Sequence, residues 1–351
     1  MEDRSDQSQR QDADSLRPAD TGLFEGYSIL KPEAGGKTMP ETKMIIDCDT
    51  GVDDALAITY ILADPKIQLL GVTTTYGNID VDSSIRNSLS ILELFHQKDI
   101  GVYRGADHAY GKDSYVRGNK SPLVHGHNGI GDVDLGTPEN KEEEKSAVDF
   151  IIESARRYKE ELHLVFVGPL TNLADCIRKD VEALKLVGNI TIMGGALTLQ
   201  GNKSVYAEAN IGSDPLAAKE VFASPLHLSI IPLDATLKTL FKVSDIAHFK
   251  DLNKAGKDIY DIAHFYYVHE LGGEDVGGAM HDPLAAYASI DPSVITNWFP
   301  CNLTAEENGR TIGTFQELNL EEKRHRVALD VDAKRFTKEY IRLVTDLIQR
   351  S

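Results

Sequence analysis

"MIIDCDTGVDDALAI", residues 44–58, decides how the fold is read. Met44 to Ile46 look like the end of a buried strand, and "DDALAITYILA" follows as an apolar helix, so the stretch is strand, turn and helix. Between strand and helix the chain places Asp47, Asp49, Asp53 and Asp54 within eight positions. A single aspartate there has an ordinary explanation, since Asp49 or Asp53 can cap the helix and satisfy its orphan N–H groups. Four together need another. Like charges at this density raise one another's pKa and cost stability unless a cation or fixed donors offset them. The cluster therefore predicts a bound metal. Carboxylate oxygens, with no His and a single Cys48 in the stretch, indicate a hard cation such as Ca²⁺ or Mg²⁺.

Outward from this stretch, short apolar runs alternate with helical periodicity. Strands are expected at Met44 to Asp47, Leu69 to Thr75, Gly101 to Arg104, Leu162 to Val167, Asn189 to Met193 and Leu226 to Leu233. Between them Ile85, Leu89, Leu92 and Phe95 recur at helical spacing, as do apolar residues in "DPLAAKEVFAS" and "DIAHFYYVHEL". The expected class is α/β: one domain over residues 43–351, with a mostly parallel open sheet wrapped by helices and a Rossmann-like core. In such sheets ligands sit beyond the carboxyl ends of the strands. The polar and glycine-rich segments follow strands: the aspartates the first, Gly77 and Asn78 the second, "GPLTN" (168–172) the fourth, "MGGALTLQGN" (193–202) the fifth.

Composition narrows the function. The chain has 351 residues, 41% of them hydrophobic, enough for a large core, and a formal charge of −18. That charge, with no basic stripe, disfavours nucleic acid as a partner. Cys48, Cys176 and Cys301 form no CxxC and leave an odd count, which suits a reducing compartment. No stretch approaches the roughly 20 apolar residues of a membrane span, and no secretory pattern is expected at the start, so the expectation is a cytoplasmic protein. Residues 1–42 are polar and poor in large apolar side chains and are expected to be a disordered tail, "GLFEGYSIL" (22–30) being the part able to dock.

Two known families place carboxylates after the first strand. In haloacid-dehalogenase phosphatases a Thr or Val follows two positions after the second Asp; that position here is Gly51, and an Asp pair comes next. By contrast "DCDTGVDDA" resembles the D-x-D-x-G-x-D-D signature of the inosine-uridine preferring nucleoside hydrolases, calcium enzymes that cleave the N-glycosidic bond of ribonucleosides. The resemblance continues in order through "TTTYGN" (73–78), "HGHNGIG" (125–131), "VGPLTNLA" (167–174), "IMGGA" (192–196), "GNKSVYAEAN" (201–210), "DP" (214–215) and "HDPLAAY" (281–287).

The resemblance implies a role for each matching residue. Asp49 would ligate Ca²⁺ and act as general base; Asp54, Asp282 and the carbonyl of Val167 would complete the ligands. Asp53 would bind the ribose 2′-hydroxyl, with Asn78 beside metal and ribose. Asn202, Glu208 and Asn210 would hold the 3′ and 5′ hydroxyls, and Met193 would pack on the ribose face. For each asparagine the plain alternative is a loop cap. His281 and His125 match histidines near the nucleobase, the former as its proton donor. Homodimers or homotetramers are implied as well. The chain departs from the pattern at Thr50, where proline is common, at Ala209, where an aromatic is common, and at His269, where a tyrosine is common. A catalytically silent nucleoside-binding protein of the same fold is the competing reading.

Overall fold

The computed structural model describes residues 42–351 apart from Gly272, Glu274 and Asp275. Of the expected tail, only Thr42 lies among the described residues. The main sheet has eight strands: β1 (Thr42–Cys48), β2 (Ile67–Thr74), β3 (Gly101–Arg104), β4 (Leu162–Phe166), β5 (Asn189–Met193), β6 (Ser229–Ile231), β7 (Ile295–Cys301) and β8 (His325–Val331). They lie in the order β3-β2-β1-β4-β5-β6-β8-β7. All neighbours are parallel except β8 and β7. This is the mostly parallel α/β sheet that the sequence predicts.

Alternation along β1 feeds two cores. Met44, Ile46 and Cys48 join one with the helices Val52–Ala63, Val81–Leu94, Lys254–His269, His281–Ile290 and Ala333–Arg350. Ile45 faces the other, shared with Ala147–Tyr158, Thr171–Leu184 and Pro215–Ala223. Side chains on a strand alternate between faces, so a strand covered on both sides reads as a continuous apolar run. Helix Val52–Ala63 is buried at every position but Leu62, which explains why it is apolar all round rather than amphipathic.

The main sheet departs from the expected strands at three places. The run Leu226 to Leu233 pairs only over Ser229–Ile231, because Pro232 cannot donate to a ladder and leads into a short helical turn, Leu233–Thr236. The other two are β7 and β8, which the sequence reading did not mark. β7 contains Pro300 and is buried only at its two ends, Ile295 and Cys301, as suits an edge strand.

Candidate active site

β1 delivers Asp47, Asp49, Asp53 and Asp54 to its carboxyl end, but the four do not act as one group. Asp47 is still in the sheet. Its Oδ2 accepts from Thr73 Oγ1 at 2.6 Å and Asn172 Nδ2 at 2.7 Å, tying β1 to β2 and to helix Thr171–Leu184, while its Oδ1 is buried without a partner. Burial pushes this carboxyl up to about 7. The other three turn outward to the rim.

The capping explanation falls on Asp54 rather than on Asp49 or Asp53. Gly51 is the N-cap of helix Val52–Ala63, and Asp54 accepts from the amides of Gly51 (2.8 Å) and Asp49 (3.1 Å). Asp49 is held from the second strand: the Asn78 amide donates to its Oδ2 and Asn78 Nδ2 to its Oδ1 at 3.4 Å. The same Nδ2 lies 3.3 Å from Asp54 Oδ2. Gly77 makes this approach possible, since a Cβ there would stand 1.9 Å from Asp49 Oδ2. Gly77→Ala is accordingly predicted to misplace Asp49 and lower kcat/KM on the order of 10²-fold, the scale of a 1 Å displacement at a reacting group. Circular dichroism would show the fold retained, and wild-type kcat/KM in the variant would refute the constraint.

Asp53, Asp54 and Asp282 each offer an oxygen within 4.8 Å of one another, a group able to hold a metal ion. Asp282 enters from the first turn of helix His281–Ile290, so two helix N-termini, with their positive dipole ends, meet at the cluster. Even so, burial raises Asp49 and Asp282 well above the usual carboxylate range and lifts Asp53 to about 7, with repulsion from the neighbouring aspartates next in importance. Asp53 Oδ1 is buried without a partner. Oxygen-only donors, crowding and an orphaned carboxylate oxygen all fit a hard divalent cation. The Val167 carbonyl is nearby in the hydrogen-bond network and accepts from Asn210 Nδ2 at 2.8 Å.

On the side of β5, Glu208 caps helix Ala209–Ser213. Its Oε1 accepts from the Asn210 amide, and its Oε2 from the amides of Gly195 (2.8 Å) and Ile211 (3.1 Å). Asn210 Nδ2 also reaches the Met193 carbonyl at 3.1 Å, so Met193, Val167, Glu208 and Asn210 form one unit. Asn202 is exposed and its Oδ1 accepts from the Ala209 amide at 2.9 Å, the loop-capping contact.

The two histidines differ in state. His125 Nδ1 accepts from the Val52 amide at 3.2 Å and lies 3.8 Å from Asp53 Oδ1; burial lowers its pKa to about 3, so the ring is neutral. His281 is gripped at both nitrogens, by Thr236 Oγ1 at 2.7 Å and Glu270 Oε1 at 2.9 Å. Burial opposes its charge, but Glu270, with Asp53 and Glu208, outweighs burial and raises its pKa. Glu270 was not singled out from sequence, although it adjoins His269. His269 itself is exposed and turned to the Phe265 carbonyl, whereas the ring nearest His125 is Tyr266, with centroids 5.8 Å apart. Glu270 Oε2 takes the Ala279 amide at 2.7 Å, which fixes the carboxylate.

Known proteins resemble this chain in sequence and in fold. The profile of the family described as inosine-uridine preferring nucleoside hydrolase matches residues 44–338. Uridine nucleosidase 1 of Arabidopsis thaliana is 35% identical over 256 residues, 72% of this chain and 75% of that protein. Pyrimidine-specific ribonucleoside hydrolase RihA of Klebsiella pneumoniae (strain 342) is 32% identical over 84% of this chain and 95% of its own. The solved structure of a purine-preferring ribonucleoside hydrolase from Gardnerella vaginalis superposes with a TM-score of 0.85 at 40% identity, covering 88% of this chain and all of that one. With a carboxylate-lined rim at the ends of parallel strands and matches of this extent, the chain belongs to the inosine-uridine preferring nucleoside hydrolase family and is a ribonucleoside hydrolase.

Proposed function

We propose that the chain is a calcium-dependent N-glycosidase that releases ribose and free base from ribonucleosides in salvage. The observation that supports this most directly is the pairing of an oriented carboxylate, Asp49, with the acidic group Asp53, Asp54 and Asp282. Cleaving the ribosyl C–N bond passes through an oxocarbenium-like state, which calls for an activated water, a grip on the sugar and help for the leaving base.

In this reading Asp49 removes the proton from the attacking water. Asp49, Asp54, Asp282 and the Val167 carbonyl are the groups that would hold the ion, and a bound divalent cation supplies the charge that acidifies water and offsets the carboxylates. The orphaned Asp53 oxygen accepts from the ribose 2′-hydroxyl, with Asn78 next to it. Asn202, Glu208 and Asn210 take the 3′ and 5′ hydroxyls, and Met193 packs on the sugar face. His281, whose pKa Glu270 raises, donates to the departing base by exchanging one of its two side-chain partners for it. His125, being neutral, contacts the base through Nε2–H. A deoxyribonucleoside leaves buried polar groups without partners and reacts poorly.

The relatives carry names for uridine, pyrimidine and purine substrates, and in this reading base preference is a property of the loop at 105–135 and of helix Lys254–His269 rather than of the sugar site. Reducing-sugar release from inosine, uridine, adenosine, guanosine and cytidine, with calcium and with chelator, tests the proposal. Calcium-dependent release from at least one is expected; background rates for all five, in a protein that still binds nucleoside, would favour the silent binding protein. The same reading includes a homodimer or homotetramer in the cytoplasm. Cys48, Cys176 and Cys301 are free and buried, and among the described residues no helix is long and apolar enough to cross a membrane. Light scattering after gel filtration would reveal a monomer if the assembly is wrong.

A further inference from the structure

The segment following β3 sends three side chains to one place. Tyr115 Oη donates to the Gly77 carbonyl at 2.8 Å. Arg117 Nε donates to the Asn78 carbonyl at 2.9 Å, and Ser121 Oγ donates to that same oxygen. The remaining guanidinium nitrogens of Arg117 reach the carbonyls of Gly126 and His127, each at 2.8 Å, and Nε lies 3.1 Å from Ser121 Oγ. One cation thus ties together the Asn78 turn and the residues directly after His125.

Gly77 and Asn78 are the turn that holds Asp49. The Gly77 carbonyl and the Asn78 amide belong to one peptide unit, so Tyr115 O–H, that peptide and Asp49 Oδ2 form a continuous chain of donors and acceptors. Donation to an amide oxygen polarises the peptide and strengthens its N–H as a donor, the cooperative effect of linked hydrogen bonds. Tyr115 is fixed for this by its ring against Tyr76, centroids 5.7 Å apart, and Tyr76 is anchored by its hydroxyl 3.0 Å from Thr171 Oγ1. Arg117 suits the other carbonyls because its planar fork spans several acceptors at once, which a lysine ammonium cannot do.

We infer that Tyr115 and Arg117 are positioning residues for Asp49: the segment 115–127 clasps the Gly77–Asn78 turn, so the seating of this segment and the orientation of the general base are one event. The inference rests on the proposed role of Asp49. It assigns the reaction rate, not only the binding of the base, to residues that touch neither sugar nor metal ligands.

Tyr115→Phe keeps the ring on Tyr76 and removes only the hydroxyl. The expected result, on the ribonucleoside that wild type cleaves fastest, is a drop of about 10-fold in the single-turnover rate with KM changed less than about 2-fold, one lost hydrogen bond's worth of orientation. Arg117→Ala is expected to lower the rate further, and Arg117→Lys to restore only part of it. A segment that merely covers the base would raise KM and leave the single-turnover rate alone, and that outcome overturns the inference. Amide hydrogen exchange of the peptide spanning residues 76–80 provides a readout free of activity. Faster exchange in Tyr115→Phe is expected, and unchanged exchange overturns the clasp even if wild type cleaves no ribonucleoside. Wild-type inactivity with faster exchange in the variant would instead remove the proposed reaction and leave the clasp standing.

Discussion

Asp49→Ala is expected to lower ribose release by on the order of 10³-fold or more while leaving the protein folded, because it removes a general base worth 10²–10⁴ together with one ion ligand. The carboxylate is pinned at both oxygens by Asn78; Asp54 is held at both oxygens too, but is committed to the Gly51 and Asp49 amides at the start of its helix, and Asp53 has its Oδ1 orphaned. Asp49→Asn separates the two contributions, since an amide can still ligate weakly but cannot take a proton. Both variants should show far-ultraviolet circular dichroism like wild type. If Asp49→Asn keeps more than about a tenth of wild-type kcat at saturating calcium, the loss lies outside the margin of general-base catalysis and another group must serve as base.

The sheet and the acidic rim were legible because they rest on local pattern. Apolar runs marked six strands that pair in the structure, and Asp49, Asn78, Glu208 and Asp282 each sit where a strand or helix end puts them. β7 was hidden by Pro300 and its exposed residues, as edge strands are, and β8 reads as charged because Arg326 and Asp330 interrupt it. The division among the aspartates was not legible either. Spacing says that four are close; only the structure turns Asp47 into the sheet and leaves the rest on the rim. Glu270, Tyr115 and Arg117 escaped for a different reason. Their partners are a histidine eleven residues away and backbone carbonyls, and carbonyls carry no residue identity for a sequence pattern to detect.

The second expected result concerns stability and has opposite signs with and without metal. Folding the apo chain forces Asp49, Asp53, Asp54 and Asp282 together in a buried site, which raises their pKa above the unfolded values. A carboxyl so raised binds more protons folded than unfolded, so apo stability falls as pH rises from about 4 through about 7, where Asp53 titrates. A divalent ion requires the deprotonated forms and reverses that slope. At calcium a hundredfold above its Kd, wild type should gain about 2.7 kcal/mol. At roughly 2 °C or more per kcal/mol, that is on the order of 5 °C in Tm. Asp282→Asn, which keeps the shape and removes one charge, is predicted to melt at or above wild type in chelator and below it in calcium. Asp54→Ala should lose the calcium response too but melt lower in both conditions, because the Gly51 and Asp49 amides lose their acceptor. Calorimetric scans of the three proteins at pH 6 and pH 8 would reveal the crossing. A calcium response in Asp282→Asn and Asp54→Ala equal to wild type would show that the ion binds elsewhere; Asp282→Asn melting below wild type in chelator would show that the crowded carboxylates are not a cost to the fold.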